Sequence, residues 1–186
     1  MTLKYSLEKL LIMIVPTFVD LQGFIVDKKF VVKEVAVLRK GTVLAHYIFA
    51  SPMPWHVLTK SDKSCASWLI AYHHGLRWKD GMIPYSMAKR LITSAVCNTE
   101  EDSDNVIVYV KGHQKREWLV DMLDTDEGIY IKTLDEDYED IESLNNLDVS
   151  NTVRCERHVK NCALQNVFKI YNWWSQHQNN CEIFSK

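Results

Sequence analysis

Two apolar runs near the start of the chain, separated by a short polar break, constrain the fold more than any other feature. The first run covers residues 15–24 and the second covers residues 30–38, with three polar residues at 27–29 between them. Both runs are rich in β-branched and aromatic residues, which favour a strand pair joined by a tight turn. Asp20 falls near the middle of the first run, where little but metal or nucleic-acid chemistry justifies the cost of burying a carboxylate. The sequence therefore predicts a buried strand pair that carries a candidate functional group.

Size and composition set broad limits on what the chain can be. Its 186 residues, 47% of them hydrophobic and 25% charged, are typical of one globular domain with a substantial core. The formal net charge of −2 gives no overall basic character, so any contact with nucleic acid would need a local basic patch. Five cysteines are an odd number at low density, which indicates a reducing, intracellular compartment. The apolar run at 10–15 is too short and too interrupted for a membrane span or a signal peptide, so we expect no membrane association.

Patterns further along the chain predict an alternation of helices and strands. A third strand at residues 42–49 follows a turn at Gly41, so the first three strands are expected to form an antiparallel meander. Residues 106–110 are a nearly continuous apolar run, which is typical of a parallel strand covered on both faces. The remaining predicted elements are a strand at 128–134 and helices at 61–72, 84–95, 114–123 and 162–174.

This order of elements predicts an α/β fold with a mixed five-stranded sheet and helices on both faces. It matches the ribonuclease-H-like sheet, in which the functional site lies at the strand ends. We expect one domain at residues 13–176, with an N-terminal extension at 1–12 and a polar tail at 177–186. Within the domain, an acidic segment at 135–150 is expected to be a solvated loop with some helix.

Four segments of the chain resemble, in order, the motifs of the DEDD-type 3′–5′ exonucleases. The resemblance implies the ribonuclease-H-like fold and hydrolysis of nucleic acid with two bound metal ions. It covers about 150 residues, although each motif alone is weak. The matching segments are Phe-Val-Asp-Leu-Gln-Gly-Phe at 18–24, Tyr-His-His-Gly-Leu at 72–76, the strand and helix at 106–123, and Cys-Ala-Leu-Gln-Asn-Val at 162–167. In addition, Lys-Glu-Val-Ala-Val at 33–37 resembles the usual second strand of the family.

Departures from the family pattern argue against the activity that the resemblance implies. Two-metal hydrolysis needs about four carboxylates to hold a pair of divalent cations. Here Asp20 is present, but Gln22, Trp118 and Asn166 stand at or near the other three acidic positions. Glu117, one residue out of phase with the second motif, is the remaining candidate carboxylate. We therefore expect Asp20 and Glu117 to be vestigial, with no bound pair of Mg²⁺ or Mn²⁺ ions.

A second, narrower resemblance concerns three metal-ligating residues. Cys155, His158 and Cys162 lie within eight residues, and they supply two thiolates and one imidazole, as tetrahedral zinc sites require. The segment resembles the zinc-binding part of the Maelstrom domain, an exonuclease-like fold without the acidic residues that is associated with single-stranded RNA. We predict a structural zinc that fixes the last helix to the sheet, with His73 as the fourth ligand; His74 and His113 are alternatives. The competing interpretation is a buried Cys162 beside an exposed Cys155–His158 pair.

Basic residues just beyond the fourth strand suggest a nucleic-acid-binding groove. Lys111, His113, Lys115 and Arg116 follow that strand, and Arg157 approaches from the segment before the last helix. Together with nearby aromatic residues they could form a groove for single-stranded RNA or DNA. The alternative is that they are merely the solvated starts of helices. Four tryptophans are expected to pack in or against the core, namely Trp55, Trp68, Trp173 and Trp174.

These observations leave three hypotheses for the function. The first is a catalytically degenerate exonuclease-like domain, stabilised by zinc, that binds RNA or single-stranded DNA. The second is an active nuclease that cleaves single-stranded RNA through Asp20 and nearby residues. The third is a protein-interaction module that offers its acidic segment at 135–150 to a basic partner.

Overall fold

Five strands form one mixed sheet in the computed structural model of the protein. The structure describes residues 15–97, 106–123 and 128–183, and for residues 180–183 it describes the backbone alone. The strand order is β3-β2-β1-β4-β5. β1, β2 and β3 form an antiparallel meander, whereas β4 is parallel to both β1 and β5. The predicted α/β fold with a mixed five-stranded sheet is thus confirmed. The strands are β1 (Thr17–Val26), β2 (Lys29–Arg39), β3 (Val43–Ile48), β4 (Val106–Val110) and β5 (Ile129–Thr133).

The central strand pair is joined by the tight turn that the polar break predicted. Asp27 and Lys28 both have positive φ angles, 47° and 63°, which is the backbone of a two-residue type I′ hairpin. Register shifts between Gln22 and Gly23. A side chain at Gly23 would meet the carbonyl oxygen of Val31, since an added Cβ would lie 2.2 Å from it. The glycine therefore permits a close approach of the two strands at a bulge whose extra residue is Lys33 of β2.

Helices follow the predicted order, the first ends close to its predicted end at residue 72, and the last differs at its end. The first continues beyond Trp68 through a π-helical turn at Leu69–His73, and the last extends well past the predicted end at residue 174. The polar tail predicted at 177–186 is therefore helical as far as Ile183. The predicted extension at 1–12 lies outside the described residues. The helices are α1 (Lys60–Trp68), α2 (Ala88–Val96), α3 (His113–Met122), α4 (Leu134–Asp137) and α5 (Ala163–Ile183).

Alternate residues of β1 face opposite layers of helices. Val19 and Leu21 belong to a core cluster with residues of α2 and α3. Phe18 packs instead with Ile170 and Trp174 of α5. Side chains of successive strand residues point to opposite faces, so Asp20 shares the α5 face with Phe18. The sheet is covered on both faces, as predicted, and Asp20 is buried beneath α5.

Two predictions about surface and core need correction. Trp68 was expected to pack in the core, but its side chain is 57% exposed on α1. Trp174 is buried, and Trp173 packs partly buried against the cluster around Phe18. The acidic segment at 135–150 is not wholly solvated, because it begins as helix α4 and buries Ile141 and Leu147.

No helix among the described residues is long and apolar enough to cross a membrane.

Candidate functional site

Four side chains from distant parts of the chain converge on a candidate metal centre. Glu34, Cys155, His158 and Cys162 each place a ligand atom within 4.8 Å of the others. Glu34 lies in β2, Cys155 and His158 lie in the segment before α5, and Cys162 immediately precedes that helix. Two sulfurs, one imidazole nitrogen and one carboxylate oxygen form a complete ligand set for tetrahedral zinc. We call these four residues the metal group.

The orientation of His158 fits the role of a metal ligand. Its Nδ1 lies 2.6 Å from the carbonyl oxygen of His74 and 2.8 Å from that of Lys160. A carbonyl can only accept, so Nδ1 carries the hydrogen, and in the neutral ring Nε2 presents its lone pair. Nε2 is buried and lies 3.0 Å from Oε2 of Glu34, which is its ion-pair partner when the ring is protonated. Two acceptors this close require a cation at the site, either a proton or a metal ion.

Further contacts hold Glu34 in place. Its Oε1 lies 2.8 Å from Nε2 of His46, and its Oε2 accepts a hydrogen bond of 3.0 Å from the backbone N–H of Ala163. Burial by itself would raise the pKa of Glu34, but hydrogen bonds from His158 and His46 lower it to about 2. Because Ala163 begins α5, this single carboxylate connects β2, β3 and the start of the last helix.

The two thiols of the metal group differ in acidity. The hydrogen bond with Cys162 lowers the pKa of Cys155 to about 7. The same contact, together with burial, raises the pKa of Cys162 to about 12. For His158, burial opposes the charged form, but hydrogen bonds with Cys162 and Glu34 raise the pKa to about 10. Without a metal ion, the group thus holds protons that a bound zinc ion would displace.

The predicted histidine ligand lies elsewhere, and Glu34 takes the fourth place. His73 is next to Asn161, and the side-chain Nδ2 of Asn161 donates to the carbonyl oxygen of His73 at 2.6 Å. His74 is fully buried and supports the site indirectly, because its carbonyl oxygen accepts from the ring of His158. The side chain of His113 is 75% exposed on α3. Three of the four predicted ligands therefore belong to the metal group, and His73 does not.

A second polar cluster surrounds Asp20, which is 1% exposed. Its Oδ1 contacts the ammonium group of Lys115. Its Oδ2 accepts hydrogen bonds from Gln22 Nε2 at 3.1 Å and Asn166 Nδ2 at 2.8 Å. The amides of Gln22 and Asn166 thus face Asp20 as hydrogen-bond donors. We call these four residues the Asp20 cluster.

Residues near the second motif have other partners. The Glu117 side chain is 55% exposed, and it pairs with Arg116 at 2.8 Å and with His113 at 3.8 Å. Trp118 stacks on Phe30 with ring centroids 3.9 Å apart and planes within 2°. Glu117 therefore belongs to a surface ion-pair network, whereas Trp118 is a packing residue.

The predicted basic patch after β4 is largely neutralised by neighbouring carboxylates. Lys111 contacts Asp135, Lys115 contacts Asp20, and Arg116 pairs with Glu117. The acidic segment thus supplies one of these partners itself. Arg157 lies apart from this patch, where it lines a pocket together with Arg77 and Arg154.

Two relevant residues were missed by sequence reasoning. Glu34 follows Lys33 in an otherwise apolar strand, and both are fully buried. Two consecutive charges inside a buried strand were the available signal, since each must have a partner. Arg77 follows the His-His-Gly loop in sequence and carried no signal of its own.

Comparison of the chain with models of known protein families gave no match, and comparison with curated proteins gave none either. The function is therefore inferred from the geometry of these sites. The metal group is suited to structural metal binding, because all four ligands come from the protein. The Asp20 cluster is suited to charge compensation within the fold, because an internal ammonium group already pairs with its carboxylate.

Proposed function

We propose that this protein is a zinc-stabilised, ribonuclease-H-like domain that lacks two-metal nuclease chemistry and binds single-stranded RNA or DNA. The observation that carries the loss of two-metal chemistry is the contact between Lys115 and Asp20. In the family that the motifs resemble, the corresponding aspartate binds a catalytic metal ion. Here a lysine of the same chain supplies the positive charge.

The strand arrangement supports the fold assignment within this proposal. Three antiparallel strands followed by two parallel ones, in the order β3-β2-β1-β4-β5, agree with the sheet expected from the sequence motifs. The central strand β1 carries Asp20 on the face covered by α5, and Asn166 of α5 reaches it. This contact between residues of the first and third motifs supports the proposal.

Loss of two-metal chemistry follows from the ligand inventory of the Asp20 cluster. A pair of divalent cations needs several carboxylates, and neutral amides are poor substitutes. Asp20 is the single carboxylate of this cluster, and its oxygens already contact Lys115, Gln22 and Asn166. A divalent cation would have to displace an ammonium group and would gain only one charged ligand.

Zinc has a structural role in the proposal. The metal group has four protein ligands, and such closed sites leave no coordination position for substrate. Ligation would join β2 to the segment that carries Cys155 and His158 and to the start of α5. The same helix covers Asp20, so zinc stabilises the packing around the former catalytic position.

The test uses a short single-stranded oligoribonucleotide and the DNA strand of the same sequence. We expect salt-dependent binding of at least one strand, and we expect the RNA to remain intact with Mg²⁺ or Mn²⁺. Cleavage that is abolished in Asp20→Asn but retained in the control Glu117→Gln would establish a nuclease instead. No binding of either strand at low salt would overturn the proposal and leave the protein-interaction module.

A further inference from the structure

We infer that the phosphates of the bound strand occupy the pocket lined by Arg77, Arg154 and Arg157, beside the metal group, and not the basic patch after β4. This inference rests on the proposed function, since it locates the binding surface for the same ligand. We call this site the arginine pocket. Among the described residues, the guanidinium groups of Arg77 and Arg157 form no ion pair, and both line this concave surface.

The shape of the arginine pocket suits a nucleotide unit. Its volume is about 850 Å³, within the range of sites that enclose small ligands. Met82 and Leu164 contribute apolar surface, and Cys155 of the metal group forms part of the wall. Arg77 and Arg157 are exposed, so their side chains can reorient toward a ligand without unfolding the domain.

The charges of the arginine pocket are available, in contrast to those after β4. In the described part of the chain, neither the Arg77 nor the Arg157 guanidinium group forms an ion pair. Asp80 also lines the pocket, but its carboxylate accepts from the backbone N–H of Arg77 at 2.7 Å. Glu156, the second acidic residue of the wall, is exposed. Arginine presents several donors in a planar fork, which suits phosphate oxygens.

The metal group positions two of the three arginines. Arg154 donates to the carbonyl oxygen of His158 at 3.1 Å and to Oε1 of Gln165 at 2.7 Å. Arg157 directly precedes His158 and is two residues from Cys155. Zinc ligation would therefore hold the backbone that carries both side chains. Binding of the strand then depends on the metal, although the metal does not contact the strand.

The experiment measures the affinity of a fluorescent single-stranded oligonucleotide by anisotropy at several salt concentrations. The test variant is Arg77→Ala with Arg157→Ala, and the matched control is Lys111→Ala with Arg116→Ala. We expect the test variant to bind about tenfold more weakly or worse, because two charge-assisted phosphate contacts are lost. We expect its salt slope to fall by about 1.4, which corresponds to two phosphates on a single strand. The control should bind within about twofold of wild type, because its charges already have acidic partners.

The possible outcomes separate this inference from the proposed function. If wild type binds the strand but the arginine variant binds equally well, the location is wrong and the function stands. If the Lys111 and Arg116 control loses affinity instead, the groove after β4 is the binding surface. If adenosine monophosphate binds more tightly than the strand, the pocket is a mononucleotide site and the inference fails. If wild type binds no strand, the proposed function fails and the inference with it.

Discussion

The ammonium group of Lys115 contacts the carboxylate of Asp20 beneath helix α5, at the centre of the sheet. Lys115 belongs to the first turns of α3, and Asp20 belongs to β1. The contact therefore pairs two charges that are 95 residues apart in sequence. The buried carboxylate of Asp20 is thus part of an internal ion pair. This pair has consequences for both stability and metal binding.

Removal of Lys115 should destabilise the domain strongly. Lys115→Met leaves the buried Asp20 carboxylate without its counter-charge, and we expect the free energy of unfolding to fall by about 3 kcal/mol. The double variant Asp20→Asn with Lys115→Met should recover most of that loss, because no charge is then left unpaired. Urea denaturation of the three proteins measures the effect. Equal stabilities of wild type and Lys115→Met would show that the pair is unimportant.

Restoring acidic residues should create a divalent cation site. We expect Gln22→Glu with Asn166→Asp and Lys115→Ala to bind Mn²⁺, because three carboxylates would then face one another. Wild type should bind none at the Asp20 cluster. Electron paramagnetic resonance of added Mn²⁺ measures the bound fraction. The control is the variant Gln22→Glu with Asn166→Asp, which keeps Lys115 beside the two new acids. Strong Mn²⁺ binding by wild type at the Asp20 cluster would contradict the proposed absence of two-metal chemistry.

Removal of zinc should lower thermal stability. Because ligation connects β2 with the start of α5, we expect a chelator to lower the unfolding temperature by about 10 °C or more. Cys155→Ser should behave like the chelated protein and should no longer respond to chelator. Cys65→Ser is the matched control, because that cysteine is exposed and lies outside the metal group. A chelator effect that persists in Cys155→Ser would place the metal elsewhere.

His46 should tune the affinity of the metal group for zinc without binding the metal. Its ring lies 2.8 Å from Oε1 of Glu34 and orients that carboxylate. We expect His46→Ala to weaken zinc binding about 10- to 100-fold, as is typical when a supporting contact to a ligand is removed. Competition with a chromophoric chelator gives the affinity. His113→Ala is the control, and an equal loss in that variant would contradict a specific role for His46.

Local patterns made most of the sheet predictable, whereas the fourth residue of the metal group depends on a distant contact. Cys155, His158 and Cys162 were found because they are close in sequence. Glu34 accepts a hydrogen bond from Ala163, at the start of the last helix and 129 residues away in sequence. No local sequence pattern predicts a contact over that separation. Lys33 beside it donates to the carbonyl oxygen of Trp78 at 2.7 Å. The two charges of β2 thus have separate partners that only the folded chain reveals.

For helix α1 the sequence predicted the element correctly but not which of its faces is buried. The spacing of Cys65, Trp68 and Tyr72 predicted a helix, and Trp68 was expected to pack in or against the core. The helix is present, but all three are exposed, and Ala66 is its buried residue. Aromatic residues at helical spacing mark an amphipathic face, and that face need not be the inner one. The charge balance of the patch after β4 was likewise not visible locally, because two of its acidic partners, Asp20 and Asp135, come from other segments.

The metal-to-protein ratio of the purified domain, measured by elemental analysis for wild type and Glu34→Ala, tests the metal group most directly. We expect one zinc ion per wild-type chain. X-ray absorption of that protein should show two sulfur ligands and two nitrogen or oxygen ligands around the zinc ion. Glu34→Ala should lose zinc or retain it with an added water ligand. Metal-free wild type, or zinc retained unchanged in Cys155→Ser and Cys162→Ser, would contradict the proposed metal centre.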